Sequence, residues 1–167
     1  MFGRLIAIGL GLTSFAVVLM VALPADLFGR GSDATTTISA QAAQIAVVDG
    51  DTIRLRNTLI RLRGVHAPAR GQICRTGPNA SDDCGTMSSI ALAGLVRGRA
   101  VSCEINGRDR GGFALAQCNA AGVNLNQAMV SAGWARAEPT DAGMQATEAE
   151  ARRAARGLWW ANGRLPL

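Results

Sequence analysis

Two aspartates in a short turn and two arginines in the segment that follows are the side chains best suited to chemistry on phosphate. Asp49 and Asp51 stand in Asp-Gly-Asp-Thr, and Arg61 and Arg63 stand in Leu-Ile-Arg-Leu-Arg. Carboxylates can hold a hard cation, and arginine forms bidentate contacts with phosphate or carboxylate. Strand alternation places both arginines on one face, where burial without a partner would be costly. We therefore expect them to face solvent or an anion.

Hydrophobic periodicity predicts the elements that position these side chains. Strands are expected near Ile45–Val48, Thr52–Arg56 and Leu59–Val65, followed by a loop from His66 to Asp83. Helical spacing covers Cys84–Arg97, Asn124–Ala132 and Asp141–Arg156, with a hairpin of Val101–Ile105 and Phe113–Asn119 after the first helix. This order predicts a mainly β, α+β fold, an OB-type five-stranded barrel capped by about three helices.

Four cysteines in a chain with an apolar N-terminal segment favour disulfides over a free-thiol or metal role. Of the three connectivities we favour Cys74–Cys84 and Cys103–Cys118. Pairing Cys103 with Cys118 centres the hairpin turn on Asn-Gly-Arg-Asp-Arg-Gly-Gly and brings the two Cα atoms within disulfide reach. A zinc site is the alternative, although no Cys-x-x-Cys spacing is present and the chain has one histidine.

Charge and composition divide the chain into three parts. Residues 1–24 contain the uninterrupted apolar run Leu5–Leu23, about 28 Å long as a helix, which predicts a membrane anchor, with a cleaved signal peptide as the alternative. Residues 25–44 read as a flexible linker, and residues 45–167 as the folded domain. All 17 basic side chains are arginine, the net charge is +5, and the excess lies in the folded domain. A polyanionic partner and a location outside the cytoplasm, in the cell envelope, are therefore expected, with an ordinary basic surface as the alternative.

Ordered motifs along the folded domain carry a resemblance to one enzyme family. They are the stretch Val47–Pro68, the segment Cys-Gly-Thr-Met through Arg-Gly-Arg-Ala-Val, Asn-Leu-Asn-Gln-Ala-Met-Val-Ser-Ala-Gly, and Glu-Ala-Glu-Ala-Arg-Arg-Ala-Ala-Arg-Gly-Leu-Trp. Together they resemble the staphylococcal-nuclease-like (thermonuclease) domain, an OB-fold enzyme that hydrolyses phosphodiester bonds with calcium. The resemblance spans nearly all of residues 45–160.

The resemblance implies which catalytic parts are retained and which are replaced. Asp51 with Thr52 stands at the first metal position, with Asp49 in the same turn, and Arg61 at the first phosphate-binding arginine. His66 replaces the second metal carboxylate. Imidazole is a poor calcium ligand but can bind a transition ion with Asp51, so weak binding of calcium or a transition metal is the cofactor prediction.

Two further replacements remove side chains that the family uses for catalysis. Ala69 stands where the family has its glutamate base, and Phe113 stands where it has its second arginine. Arg110 could reach in from the hairpin turn, giving an anion-binding set of Arg61, Arg63 and Arg110. We predict a catalytically degenerate nuclease homologue, a non-catalytic module that binds nucleic acid or another acidic polymer. The alternatives are a metal-dependent phosphodiesterase with an altered site and an envelope scaffold that binds no polymer.

Overall fold

The computed structural model describes residues 36–75 and 81–160 as a mixed α+β domain, built on one curled sheet with three helices and consistent with an OB-fold. Seven strands form the main sheet, in the order β1-β8-β9-β4-β3-β2, and β10 pairs with β9. These strands are β1 (Thr36–Ala40), β2 (Ile45–Asp49), β3 (Thr52–Leu55), β4 (Thr58–Leu62), β8 (Val101–Arg108), β9 (Ala114–Ala120) and β10 (Val123–Asn124). The five predicted strands are all present, but the sheet is larger than the predicted five.

Strand β1 lies within the segment that was predicted to be linker. Thr36–Ala40 pairs antiparallel with β8, with Ile38 opposite Cys103, and Ala40 is 2% exposed in the core. The β-branched residues of Thr-Thr-Ile suit a pleated strand, and β8 offers an edge that would otherwise be unpaired. The linker prediction is therefore wrong for residues 36–40. The predicted anchor at residues 5–23 lies outside the described residues. In the described part, no helix is long and apolar enough to cross a membrane.

The predicted third strand is two strands in the structure. Gly64, at φ +74°, turns the chain between β4 and β5 (Val65–His66), and β5 leaves the main sheet to pair with β11 (Arg136–Ala137). The predicted loop His66–Asp83 also contains a small antiparallel pair, β6 (Ile73–Arg75) and β7 (Ser81–Asp83). The Cys74–Cys84 disulfide ties this pair to the first helix.

Three helices pack against the sheet, each capped by a side chain that the sequence supplies. They are α1 (Cys84–Val96), α2 (Leu125–Ser131) and α3 (Ala142–Arg153). Asp83, Asn124 and Asp141 accept the first free amide hydrogen bonds of α1, α2 and α3, as N-cap residues commonly do. The core combines the inward faces of β3 and β4, such as Ile53 and Ile60 at 0% exposure, with buried residues of α1 and α2.

The β8–β9 hairpin has the predicted register, with Cys103 opposite Cys118, and these two cysteines are disulfide-bonded. Strand β9 also runs parallel to β4, with Arg61 opposite Leu115. The buried Asn126 of α2 links the two strands, because its Nδ2 donates to the carbonyls of Arg63 at 2.9 Å and Ala116 at 3.0 Å. The end of β4, which carries both candidate arginines, is thereby held in place.

A buried glutamate, paired with a half-exposed arginine, fixes α3 to the rest of the domain. Glu148 is 4% exposed; its Oε2 accepts the amide hydrogen of Ala137 at 2.7 Å, and its Oε1 accepts from Arg152 at 2.5 and 2.9 Å. The Arg152 guanidinium lies 4.0 Å from the ring centroid of Trp159. Through these contacts α3 is joined to β11, which borders the candidate site, and to the segment around Trp159.

Candidate functional site

The Asp-Gly-Asp-Thr turn joins β2 to β3 and packs directly on α1. The hydroxyl of Thr52 donates to Asp51 Oδ1 at 2.7 Å, and the amide of Ala67 donates to Asp51 Oδ2 at 3.2 Å. A side chain at Gly50 would overlap Ser88 of α1, since its Cβ would lie 1.8 Å from Ser88 Oγ. Close packing of this turn therefore requires glycine and fixes where the Asp51 carboxylate points.

Arg61 lies between two carboxylates and an aromatic ring. Its Nη1 donates to Asp109 Oδ2 at 2.5 Å, and its Nε lies 3.9 Å from Asp51 Oδ1. The Phe113 ring centroid is 4.8 Å from Arg61 Cζ. The position expected for a second cation is thus occupied by a ring that stacks on the first arginine.

Asp109 is the acidic neighbour of Arg61 that the sequence left unassigned. Its Oδ1 accepts amide hydrogens from Gly111 at 2.8 Å and Phe113 at 3.0 Å, which closes the hairpin turn. Its Oδ2 accepts from Arg61. Both oxygens therefore have partners, and the carboxylate is held as an internal counter-ion.

The loop after Pro68 contains the position expected for the general base. Ala69 is exposed, and its amide donates to Gln72 Oε1 at 3.2 Å. The neighbouring Arg70 is held against β2, because its Nε donates to the Val48 carbonyl at 2.5 Å and lies 3.9 Å from Asp49 Oδ1. The base position thus carries a methyl group, and the guanidinium beside it is bound to β2.

Neither aspartate of the long loop replaces the missing base. Asp83 accepts from the Thr86 hydroxyl at 2.7 Å and from its amide at 2.8 Å, and it also accepts from the Gly71 amide at 3.0 Å. The hydroxyl hydrogen bond first, and then the backbone hydrogen bonds, hold the pKa of Asp83 below its usual value, so it remains an ionised helix cap. Asp82 is exposed on β7 and pairs in register with Cys74.

His66 contacts a different carboxylate from the one the metal hypothesis requires. Its Nε2 lies 2.6 Å from Glu138 Oε2, because β5 pairs with β11 and brings Glu138 alongside. In residues 36–75 and 81–160, no three His, Cys, Asp or Glu side chains are grouped so that they could hold a metal ion. The side chains of Asp51 and Thr52 bond to each other, whereas Asp49 faces Arg70. This donor set does not fit a calcium ion, which takes six to eight oxygen ligands.

A cavity of about 710 Å³ lies in front of these groups. It is lined by Asp51, Arg61, Leu62, Arg63, Gly64, Val65, His66, Asp109, Leu115, Gln117, Glu138, Thr140, Asp141 and Ala142. The structure thus brings together four of the predicted site residues, Asp51, Arg61, Arg63 and His66. Arg110 is exposed at the hairpin tip and does not line the cavity. Asp49, Thr52, Ala69 and Phe113 are also outside its lining.

Sequence reasoning missed the acidic side of this cavity. Asp109 had been noticed only as part of a turn, and Glu138 and Asp141 had no assigned role. One signal was available: Glu-Pro-Thr-Asp is a polar, proline-containing loop directly before a helix, a place where binding residues are often found. Its position opposite β4 depends on the pairing of β5 with β11, which the sequence does not reveal.

Comparison with known proteins agrees with the fold and with the motif pattern. The family model described as staphylococcal nuclease homologue matches residues 59–161. The succinoglycan biosynthesis protein ExoI of Rhizobium meliloti (strain 1021) is 35% identical over 120 residues, which is 70% of this chain and 63% of that protein. The chain thus spans less than two thirds of the length of this relative. On the strength of the family match, this chain belongs to the family of staphylococcal nuclease homologues, and its domain is nuclease-related.

Proposed function

We propose that this domain is a nuclease homologue that has lost efficient phosphodiester cleavage and binds an acidic polymer, either nucleic acid or an acidic polysaccharide. The observation that carries the first half is the pairing of Arg61 with Asp109 beside a loop whose base position is Ala69. The retained arginine has an internal partner, and no proton acceptor stands at the expected place.

The Asp109 carboxylate is poorly placed to take over as a base. Its Oδ1 already accepts two backbone amides, and its Oδ2 would have to share its remaining acceptor capacity between Arg61 and the water. Loss of a general base costs about 10²–10⁴ in rate, and loss of one charge donor about 10²–10³. Even with non-additive effects, about four orders of magnitude would be lost relative to an intact site.

Unpaired arginines support the second half of the proposal. The described residues include 14 arginines, and only Arg61, Arg70, Arg152 and Arg153 have a carboxylate of the described part within 4.0 Å. The other ten are Arg54, Arg56, Arg63, Arg75, Arg97, Arg99, Arg108, Arg110, Arg136 and Arg156. All of these but Arg136 are exposed. Exposed cations without carboxylate partners attract polyanions and release counterions when these bind.

Two alternative functions are tested beside the proposed one. A metal-dependent phosphodiesterase would use Asp49, Asp51 and His66 with manganese or zinc, and the fact that Asp51 and His66 line one cavity favours it over chance placement. An envelope scaffold would use the fold without binding any polymer. The relative named for succinoglycan biosynthesis makes a glycan a candidate beside nucleic acid.

The proposed location is outside the cytoplasm, in the cell envelope, with Leu5–Leu23 as a membrane anchor. Two disulfides support an oxidising compartment. Strand β1 supports an anchor over a signal cleaved after Ala42, since that cleavage would remove β1 from the sheet. N-terminal sequencing of the mature protein tests this, and a mature start near Ala43 or Asp26 would contradict the anchor.

The function is tested with the full chain, single-stranded DNA, RNA and an acidic polysaccharide, each with calcium, manganese, zinc or chelator. We expect salt-sensitive binding without cleavage, weakened in Arg63→Ala more than in the control Arg153→Ala, whose side chain lies near Glu150. Metal-dependent cleavage that is lost in Asp51→Ala would establish the enzyme. Absence of binding at low salt would favour the scaffold.

Reconstitution asks whether the shape of the nuclease site survives. Ala69→Glu supplies the acceptor and Phe113→Arg supplies the second cation, in a His66→Asp background that supplies the metal carboxylate. We expect calcium-dependent cleavage only when all three changes are combined. Cleavage by the unmodified chain at a comparable rate would contradict the proposed loss.

A further inference from the structure

The cavity has an acidic wall that the nuclease chemistry of the site does not use. Glu138, Thr140 and Asp141 lie in the loop between β11 and α3, opposite the end of β4. The two walls are joined by the Glu138 amide, which donates to the Gly64 carbonyl at 2.9 Å. At about 710 Å³, the cavity is in the size range of sites that bind small molecules or short polymer segments.

The charges inside the cavity disfavour a phosphate group. Four carboxylates line it, those of Asp51, Asp109, Glu138 and Asp141, against two arginines. Of these arginines, Arg61 already pairs with Asp109. A phosphate at Arg61 would therefore have to displace one carboxylate and share the cavity with three others, and like charges repel. A polyanion is attracted by the outer arginines, not by the interior of the cavity.

Several polar atoms in the cavity have no partner in the described part of the chain. Glu138 binds His66 through Oε2, and Asp141 caps α3 through Oδ1, so one oxygen of each carboxylate makes no hydrogen bond to a described residue. The Arg63 guanidinium also lacks a described hydrogen-bond partner, although the Arg63 backbone is bonded. Ionised carboxylates only accept and guanidinium only donates. The complementary ligand carries groups that both donate and accept, as the hydroxyls of a sugar ring do.

A nucleobase would also need a flat surface on which to stack, and the only aromatic ring among the described lining residues is that of His66, which is paired with Glu138. No Phe or Trp appears among its lining residues. The ring of Phe113 is stacked on Arg61, and Trp134 and Trp160 line a separate small cavity of about 80 Å³ beside the Cys74–Cys84 disulfide. Stacking on aromatic side chains supplies much of the affinity in single-stranded nucleic acid sites.

From these contacts we propose that the cavity binds a saccharide unit of an acidic polysaccharide. Its ring hydroxyls donate to Glu138 and Asp141 and accept from Arg63, while the acidic groups of the chain meet the exposed arginines outside. This inference rests on the proposed polymer-binding function and names the polymer class. Nucleic acid is the competing class, and the test separates the two.

The test uses the full chain with a hyaluronate oligosaccharide, in which neutral and carboxylate-bearing sugar units alternate, and a single-stranded DNA of equal charge, each titrated by calorimetry at low and moderate salt. The double variant Glu138→Gln with Asp141→Asn removes two carboxylates while asparagine retains the helix cap. The matched control, Glu104→Gln with Glu150→Gln, removes the same charge from exposed sites on β8 and α3. Thermal unfolding confirms that each variant is folded.

The direction in which affinity changes in the cavity variant distinguishes sugar recognition from simple attraction of a polyanion. Removing negative charge raises affinity for any ligand that is recognised merely as a polyanion. If Glu138 and Asp141 accept sugar hydroxyls, hyaluronate affinity falls about tenfold in the cavity variant but not in the control, and DNA affinity does not fall. Unchanged or raised hyaluronate affinity in the cavity variant overturns the inference and leaves the proposed function standing. If neither polymer binds the unmodified chain at low salt, both the inference and the proposed polymer-binding function are overturned.

Discussion

The contact between Arg61 and Asp109 yields the sharpest prediction about this domain. Asp109→Asn keeps an oxygen that can accept the Gly111 and Phe113 amides, so the hairpin turn is retained. The substitution removes the charge that faces Arg61 at 2.5 Å. Arg61 keeps Asp51 at 3.9 Å as a second counter-ion and is not left as an isolated charge. The variant therefore isolates the effect of the internal carboxylate.

The expected size of the effect follows from Coulomb's law and exposure. Two unit charges about 4 Å apart interact by about 4 kcal/mol at an effective dielectric constant of about 20. The side chains of Arg61 and Asp109 are 35% and 19% exposed, so water screens much of this. A net change of roughly 1–2 kcal/mol remains, which is about a 5- to 30-fold gain in affinity for single-stranded DNA.

The assay is fluorescence titration of labelled DNA across a range of salt concentrations. Asp109→Asn should bind more tightly than the unmodified chain, and its salt dependence should steepen by about one released counterion. Asp82→Asn is the control, because it removes the same charge from exposed β7 outside the cavity. Equal affinities for the two variants, with both folded, would refute the view that Asp109 occupies the anion position of Arg61.

Three further predictions concern the scaffold that holds the site. A Cβ at Gly85 would lie 1.7 Å from the Ala69 carbonyl oxygen, whereas a Cβ at Gly94 would have no atom within 4 Å apart from the neighbouring helix backbone. Gly85→Ala should therefore lower the melting temperature. Gly94→Ala should raise it, because alanine is favoured over glycine in a helix by up to about 1 kcal/mol. Glu148→Ala should cost about 1–3 kcal/mol in urea unfolding because it leaves the buried Ala137 amide without an acceptor, whereas Glu150→Ala, on a side chain 70% exposed, should cost less than about 0.5. Since the folded-state pKa of Asp83 is lowered, its stabilising contribution is present above the unfolded value of 3.8 and is lost as pH falls through the folded value. Asp83→Ala should thus flatten the acid limb of the stability curve, and an unchanged acid limb would contradict the assignment.

Local patterns were enough to predict most elements of the fold. Alternation located β2, β3 and β4, helical spacing located all three helices, and a constant index sum located the Cys103–Cys118 pair, because each depends on residues near one another in the chain. Strand β1 escaped prediction for the opposite reason. Its short polar-looking sequence becomes a strand only because β8, far along the chain, offers an edge for pairing.

In the candidate site, too, local features followed from the sequence, whereas contacts between distant residues did not. Residue types alone placed Arg61 and Arg63 on one face and showed a methyl group at the base position, since both follow from identity and strand period. Which carboxylate Arg61 meets was beyond the reach of the sequence, because Asp109 is 48 residues away and arrives through the parallel pairing of β4 with β9. The partner of His66, 72 residues away, depends in the same way on β5 and β11. The family, the main strands β2, β3 and β4 and the residue type at the base position thus follow from the sequence, whereas the charge balance of the cavity is decided only by tertiary pairing, which sets the distances between groups that the chain keeps far apart.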